Sequence, residues 1–288
     1  FVLKEFTLEN EYGVSFTLND LFIEKSIGIK TSKDDFVVCL KRIVCDKRQE
    51  EALRSSPERY RTIYDLGDDK KDWEVSRTLT DIVENTRNHS GVIVPYIYRP
   101  YDLRYVFYTG RTNGIIARPR FQTLGSLLYE DNYALCATRY VSNREYNHCF
   151  VASSVIDLHA VSDTYAFPLY KLPDGWNYTP AEIVAGKTRS GKPIELELNM
   201  RPEILTKLSE TVGEPVKGEE VFDYVYGVLH DKEYLERYFE FLKIEYPRIP
   251  YPQDKAEYQR YVAIGERLRR LHLMDETLNL PLITTFDV

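Results

Sequence analysis

Residues 92–108 have the sequence VIVPYIYRPYDLRYVFY, in which β-branched and aromatic residues dominate on both sides of Pro100. These residue types favour extended chains. Proline fixes its own backbone angle and is typical of turns, so the segment around Arg99-Pro100-Tyr101-Asp102 is expected to reverse the chain. The sequence therefore predicts two strands, 92–98 and 103–108, joined by a turn.

Strand-like runs continue on both sides of this segment. A helix is predicted at 121–129, and further strand-like runs occupy 133–138, 148–152 and 165–170. Upstream, Val75, Leu79, Ile82 and Val83 recur at spacings of three and four, which predicts an amphipathic helix over about 72–87. The middle of the chain therefore supplies the sheet of the protein.

Beyond Arg201 the chain is predicted to be helical. Three apolar stripes have helical spacing, namely Phe222, Val225 and Leu229; Tyr234, Leu235, Tyr238, Phe239 and Leu242; and Tyr261, Ile264, Leu268 and Leu271. We expect three packed core helices. The whole pattern predicts an α+β fold, with a mixed β-sheet and flanking helices followed by a helical C-terminal subdomain. The predicted division is an α/β domain at 1–178, a linker at 179–200 and the helical subdomain at 201–288.

Composition excludes several classes of protein. The 288 residues are 43% hydrophobic and 29% charged, and no stretch approaches the roughly 18 apolar residues of a membrane span. The chain begins with Phe1, and we interpret it as a fragment of a longer polypeptide. Four scattered cysteines without a Cys-x-x-Cys pair favour reduced thiols in a cytoplasmic protein, and no metal site is predicted.

Charge is unevenly distributed along the chain. The total is −7, which argues against a general nucleic-acid coat. Residues 99–120, however, contain five arginines and one acid, which leaves +4, whereas residues 203–240 contain ten acids and four bases, which leaves −6. The two regions are expected to have different surfaces and different roles.

The arginines of the basic stretch alternate with aromatic residues. Arginine can bind guanine through two hydrogen bonds or clamp a phosphate, Asn and Gln complement adenine, and aromatic faces stack on bases. A nucleic acid is thus a natural partner for this stretch. The alternative is that the rings fill the strand core and the arginines form a solvated face, and composition alone favours neither interpretation.

Signatures of catalysis are missing. The sequence has no phosphate loop, no Gly-x-Ser-x-Gly elbow and no His-Glu-x-x-His pair. Asp157 and His159 lie two residues apart on a predicted strand and could form a polarised imidazole, but a structural pair is the favoured interpretation. Cys149, next to His148, is the best of a weak set of candidate nucleophiles.

A family resemblance favours the nucleic-acid interpretation. Residues 98–108, YRPYDLRYVFY, resemble the Arg-Pro-Phe-Asp-x-Arg-x-x-Tyr-Tyr signature of the C-terminal specificity region of Type ISP restriction-modification enzymes and related adenine-specific DNA methyltransferases, with Tyr101 in place of Phe. Residues 26–37 resemble the family's Gly-Ile-x-Thr-x-Arg-Asp segment, with Lys33 in place of Arg. Further matches follow in the family's order, and the resemblance spans about 26–272.

The resemblance implies a function. In that family a helicase-nuclease part and a methyltransferase part precede a region that recognises the target sequence. The cofactor and catalytic loops of a methyltransferase are absent here. The resemblance therefore implies a non-catalytic module that binds double-stranded DNA for an adenine-N6 methyltransferase, with no cofactor of its own and with S-adenosylmethionine in the methyltransferase part. A protein-interaction scaffold without DNA contact is the alternative, and a hydrolase that uses Asp157 and His159 is a third.

Twelve residues are candidates for DNA contact. We expect Arg104 or Arg111 to bind phosphate, and Arg118, Arg120, Arg139 or Asn143 to bind base edges. Arg99 and Asp102 are expected to pair and to hold the turn. The full set is Arg99, Arg104, Arg111, Arg118, Arg120, Gln122, Arg139, Asn143, Arg144, Lys30, Thr31 and Lys33.

Overall fold

The computed structural model of the chain describes residues 15–139, 149–242 and 246–275. The helices in these ranges are α1 (Leu18–Leu21), α2 (Asp34–Val37), α3 (Arg42–Ala52), α4 (Pro57–Ile63), α5 (Val75–Arg87), α6 (Phe121–Leu124), α7 (Pro180–Val184), α8 (Pro202–Val212), α9 (Gly218–Leu229), α10 (Lys232–Leu242) and α11 (Lys255–His272). A short 3-10 helix, Gly125–Leu128, follows α6. The strands are β1 (Ser15–Thr17), β2 (Ser26–Ile27), β3 (Val92–Arg99), β4 (Asp102–Tyr108), β5 (Ala134–Thr138), β6 (Phe150–Ala152), β7 (Val155–Ile156), β8 (Thr164–Pro168), β9 (Tyr170–Lys171), β10 (Glu197–Leu198) and β11 (Arg248–Pro250).

The predicted hairpin is present as β3 and β4. The two strands are antiparallel, with Val92 opposite Tyr108 and Ile97 opposite Leu103. A register shift between Ile97 and Arg99 interrupts the pairing next to the turn. β7 adds to β3 in parallel, so that this three-stranded sheet, in the order β4–β3–β7, is mixed.

A four-stranded sheet separates two hydrophobic cores. Its order is β2–β8–β5–β6, and all neighbouring strands are antiparallel. Because successive residues of a strand point to opposite faces, Ala134 and Cys136 of β5 lie in one core, whereas Leu135 and Ala137 lie in the other. Both faces of this sheet are therefore buried.

The first core lies among the hairpin, the near face of this sheet and helices α3 to α5. Trp73, Tyr60 and Tyr96 are among its fully buried side chains. The predicted amphipathic helix at 72–87 is confirmed as α5, and it begins at Val75, whose backbone N–H donates to the Asp69 carboxylate at 2.9 Å.

The second core contains the far face of the sheet and the C-terminal helices. The stripe of α9 is confirmed, since Phe222, Val225 and Leu229 are buried. In the stripe of α10, Tyr234 and Leu242 are buried, whereas Leu235, Tyr238 and Phe239 are half-buried. The third stripe is wrong at Ile264, which is 45% exposed. α11 instead buries Tyr258 and Gly265, because it crosses α9 at a glycine.

That crossing is unusually close. A Cβ atom on Gly265 would lie 1.8 Å from the backbone oxygen of Asp223, and one on Gly227 would lie 2.4 Å from the backbone oxygen of Tyr261. The Arg269 guanidinium makes two hydrogen bonds to the buried Asp223 carboxylate, at 2.6 and 2.9 Å. Backbone contact and a buried ion pair together fix α11 on α9.

The fold class is confirmed, with a mixed sheet, flanking helices and a helical C-terminal part. Residues 179–200, the predicted linker, contain α7 and β10, and they bury Ile183 and Ile194 in the first core. β1 pairs with β11, which joins an early segment to a late one. The predicted domain boundaries at 178 and 201 stay a prediction.

Among the helices of the described ranges, none has the length and apolar character needed to cross a membrane.

Candidate nucleic-acid interface

The turn of the β3–β4 hairpin carries a stack of two arginines on a tyrosine. Tyr101 takes up the left-handed conformation, with φ of +64°. Arg104 makes a bidentate ion pair with Asp102, with Nε–Oδ1 and Nη2–Oδ2 distances of 3.0 and 2.8 Å, and this bonding lowers the pKa of Asp102. The Arg104 and Arg99 guanidinium carbons lie 3.8 and 4.1 Å from the centre of the Tyr98 ring. These contacts hold the charged side chains of the turn against the Tyr98 ring.

The expected pair between Arg99 and Asp102 is wrong. Arg99 lies opposite Asp102 in the strand register, but its guanidinium donates to the Asp157 carboxylate at 3.0 Å. Asp102 and Arg104 are two residues apart on one strand, so they share a face and pair with each other.

The hydrolase arrangement of Asp157 and His159 is not formed. The buried Asp157 carboxylate accepts hydrogen bonds from the Tyr96 hydroxyl and the Arg99 guanidinium, and from the backbone N–H of His159 at 2.8 Å. The His159 imidazole is exposed and lies 3.4 Å from Asp163. Asp157 thus anchors Arg99 and polarises no imidazole.

The structure does not favour Cys149, the candidate nucleophile of the sequence analysis. Burial raises the pKa of Cys149, and His148 lies outside the described residues. Hydrogen bonds from Cys45 and Arg48 instead lower the pKa of Cys39, but this thiol is buried, with 2% of its surface exposed.

The segment at 28–34 lies beside the hairpin. The backbone of Lys30 pairs with that of Arg118 in both directions, with N–O distances of 3.1 and 2.9 Å. Thr31 is buried, and its hydroxyl donates to Asp34, which also accepts the Tyr98 hydroxyl at 3.1 Å. These contacts bring the two segments of the sequence resemblance together.

Lysines surround this segment. Lys30 pairs with Asp72 at 2.7 Å, which lowers the pKa of Asp72. Lys70 donates to the backbone oxygen of Ser32 at 2.9 Å. Sequence reasoning missed Lys70, because the contact with Ser32 spans 38 residues and leaves no local signal. The Lys33 side chain makes no hydrogen bond or ion pair with any residue in the described ranges.

Residues 109–120, here called the arginine loop, carry three of the candidate arginines. Arg111 pairs with Glu84 at 2.7 Å. Arg118 and Arg120 are exposed, and neither side chain has a hydrogen-bond or ion-pair partner in the described part of the chain. Arg120 is left-handed, with φ of +55°, a conformation that costs a non-glycine residue about 1 kcal/mol or more. Gln122, on α6, is exposed as well.

Arg139 directly follows β5. Both β2 and β5 are antiparallel to β8, which lies between them, so these two strands end on the same side of the sheet. On the second-core face of this sheet, the Lys25 ammonium lies 4.4 Å from the Tyr246 ring centre. Burial and the charge of Arg139 lower the pKa of Lys25. Lys25 and Tyr246 were not among the candidates from the sequence. Asn143 and Arg144, both predicted contacts, lie outside the described residues.

A comparison with family models identifies the family. The model described as the Type ISP C-terminal specificity domain matches residues 20–287. The chain belongs to this family. No curated protein matches it.

Solved structures share the fold of this specificity domain. One, of a DrdV–DNA complex, aligns over 93% of this chain and 26% of that chain, with a TM-score of 0.62 and 20% identity. Another, of the ATP-dependent Type ISP restriction-modification enzyme LlaBIII bound to DNA, aligns over 95% of this chain and 17% of that chain, with a TM-score of 0.64 and 18% identity. At such identities the likeness establishes a common fold. The chain spans about a quarter or less of these longer chains.

Seven of the nine candidate cations fall into two groups. Arg99, Arg104, Arg111 and Lys30 are each paired with an acid of the protein. Arg118, Arg120 and Lys33 have no such partner in the described ranges. No group of three or more potential metal ligands occurs within those ranges. The second group keeps its charge available to an external anion.

Proposed function

We propose that this chain recognises a specific sequence of double-stranded DNA on behalf of an adenine-N6 DNA methyltransferase in a restriction-modification system. The observation that carries the proposal is the position of Arg118 and Arg120. Both are exposed, and neither side chain has a partner among the described residues; they lie on a loop whose backbone pairs with Lys30, in a chain of the Type ISP specificity family. The titles of two structures with this fold describe complexes with DNA.

The charges support a division of labour among the cations. A guanidinium that is already neutralised by a carboxylate offers less to a phosphate, whereas an unpaired one keeps its full charge and all its donors. Arg118 and Arg120 are therefore proposed to contact base edges, and Lys33 to contact phosphate. Arg99 and Arg104 are proposed to shape the hairpin turn, which presents Tyr98 and Tyr101 beside them.

The chemistry is proposed to belong to other parts of the same polypeptide. S-adenosylmethionine would bind a methyltransferase part, and a helicase-nuclease part is a further candidate partner. A cytoplasmic location is proposed with it, since that is where such an enzyme would meet DNA. The scaffold alternative is not favoured, since it does not account for unpaired arginines beside the family signature.

The test is the salt dependence of binding to duplex DNA. A plot of the logarithm of the affinity against the logarithm of the salt concentration is expected to have a slope of about −0.9 per phosphate contact, so each contact lowers the affinity about 3.5-fold between 50 and 200 mM salt. Lys33→Ala should reduce this slope by about 0.9. Lys232→Ala, on the acidic C-terminal part, is the control and should leave it unchanged. Binding that ignores salt, or an equal effect of the two variants, would contradict the proposal.

A further inference from the structure

A buried carboxylate on α5 faces the arginine loop. Asp81 is fully buried, and its Oδ2 atom accepts the backbone N–H of Ile115 at 2.9 Å and the Thr109 hydroxyl at 2.8 Å. Its Oδ1 atom accepts the side-chain amide of Asn85 at 2.9 Å. One carboxylate thus binds the first residue of the loop and its middle at the same time.

The backbone of the arginine loop is in close contact with this carboxylate. A Cβ atom on Gly114 would lie 2.1 Å from Asp81 Oδ2, so only glycine fits there. The Thr78 hydroxyl donates to the Gly114 carbonyl at 3.3 Å, and the Trp73 indole donates to the Ile115 carbonyl at 3.0 Å. The peptide groups on both sides of Ile115 are therefore held by buried side chains.

The path from this anchor to the unpaired arginines is short and buried. Ile115, Ile116 and Ala117 are buried, and the next residue is Arg118, whose backbone pairs with Lys30. Arg120 follows two residues later. Because these residues are packed in the interior and the Asn113 N–H donates to the Ala117 carbonyl at 3.0 Å, a shift of Ile115 moves Arg118 with it.

We propose that Asp81 is a positioning residue for sequence recognition, which sets the place from which Arg118 and Arg120 contact the bases. The inference rests on the proposed function. A bidentate contact with a base tolerates displacements of only about 0.5 Å, so it depends on the groups that hold its backbone. Phosphate contacts made by flexible side chains depend on them much less.

The test compares two isosteric variants of buried acids in the polypeptide that carries this chain. In Asp81→Asn one oxygen becomes a donor, which then faces the donor of Asn85 or those of Thr109 and Ile115. Asp223→Asn alters a similarly buried carboxylate, which is 4% exposed and binds Arg269 in the second core. The measurement is the ratio of affinities for the recognised duplex and for its single-base variants, with thermal melting beside it.

We expect Asp81→Asn to lower this ratio about tenfold, while affinity for unrelated DNA at low salt changes less than twofold. Asp223→Asn should lower the melting temperature and leave the ratio unchanged. Thr109→Val removes one donor to Asp81 and the weak acceptor of the Arg111 N–H at 3.3 Å, and it is expected to lower the ratio by a smaller factor in a protein that stays folded. Gly114→Ala disturbs the same contact from the loop side, so its effect and that of Asp81→Asn should be less than additive.

An unchanged ratio in folded Asp81→Asn and Thr109→Val proteins would overturn the inference and leave the proposed function standing. An equal fall of the ratio in Asp223→Asn would overturn it too, because general destabilisation would then explain the effect. A wild-type protein that does not discriminate between sequences at all would instead contradict the proposed function, and the inference with it.

Discussion

The candidate arginines differ in whether an acidic side chain of the protein already neutralises them. The basic stretch at 99–120 owes its net charge of +4 to five arginines. In the structure three of these, Arg99, Arg104 and Arg111, are paired with Asp157, Asp102 and Glu84. Sequence reasoning could find the cations but not most of their partners, because Asp157 lies 58 residues from Arg99 and no local pattern connects them.

This difference predicts distinct effects on recognition. Arg118→Ala or Arg120→Ala should cost about 1 to 3 kcal/mol on the recognised sequence and little on others, because one bidentate contact discriminates by about that much. Arg111→Ala removes an arginine that Glu84 already neutralises, so it should change affinity much less, and to the same extent on every sequence. Affinities for single-base variants of the site provide the measurement. Equal losses on all sequences for all three variants would mean that the loop does not contact bases.

Two half-buried histidines, His230 and His272, predict a pH dependence of stability. His230 donates from Nδ1 to the Tyr226 carbonyl at 2.9 Å, and its ring lies 5.5 Å from that of His272. Burial lowers the pKa of both imidazoles below their usual value near 6.5. Below about pH 6.5 the unfolded chain therefore binds more protons than the folded chain, and the free energy of unfolding should decrease as the pH falls.

His230→Gln should remove part of that decrease. Urea unfolding at pH 7.5 and at pH 5.5 measures it, and His89→Gln, at an exposed position, is the control. A difference between the two pH values that is identical in wild type and His230→Gln would contradict the assignment to His230.

At the scale of elements, local signals were sufficient for the hairpin and insufficient for the helix crossing. β3 and β4 follow from β-branched and aromatic runs around Pro100, and pairing between neighbours in sequence needs no long-range information. The contact of α9 with α11 depends on Gly227 and Gly265, which carry no apolar side chain. A search for apolar stripes therefore selected Ile264, which faces outwards.

The close crossing of α9 and α11 predicts that one added methyl group at Gly265 strongly lowers the free energy of unfolding. Gly265→Ala should lower the free energy of unfolding by about 3 kcal/mol, the upper end of the usual cost of overpacking, because the new Cβ meets the backbone of α9. Gln259→Ala, at an exposed position of the same helix, should change it by less than about 0.5 kcal/mol. Chemical denaturation checks both, and a Gly265→Ala protein as stable as wild type would contradict the close approach.

At the scale of the whole molecule, the four-stranded sheet is shared by both cores. The order of strand-like runs and helical stripes predicted the α+β class and a helical end. Alternation along β5 could not reveal that its two faces are covered by different parts of the chain. Leu135, Ala137, Val151 and Phe167 pack against the C-terminal core, and their neighbours on the same strands pack against the other one.

The shared sheet predicts cooperative unfolding. Loss of the C-terminal helices would expose one face of the sheet, so thermal unfolding followed by far-ultraviolet and by near-ultraviolet circular dichroism should give one coincident transition. Two separate transitions would instead support independent domains with boundaries near 178 and 201.

The central claim is that this chain determines which DNA sequence is modified. Methylation mapping of genomic DNA measures this directly, with the polypeptide that carries this chain and with a chimera in which the corresponding region of another Type ISP enzyme replaces it. We predict that the wild-type polypeptide methylates adenine in one short motif and that the chimera methylates the motif of the donor enzyme. An active chimera that still methylates the original motif would contradict the claim.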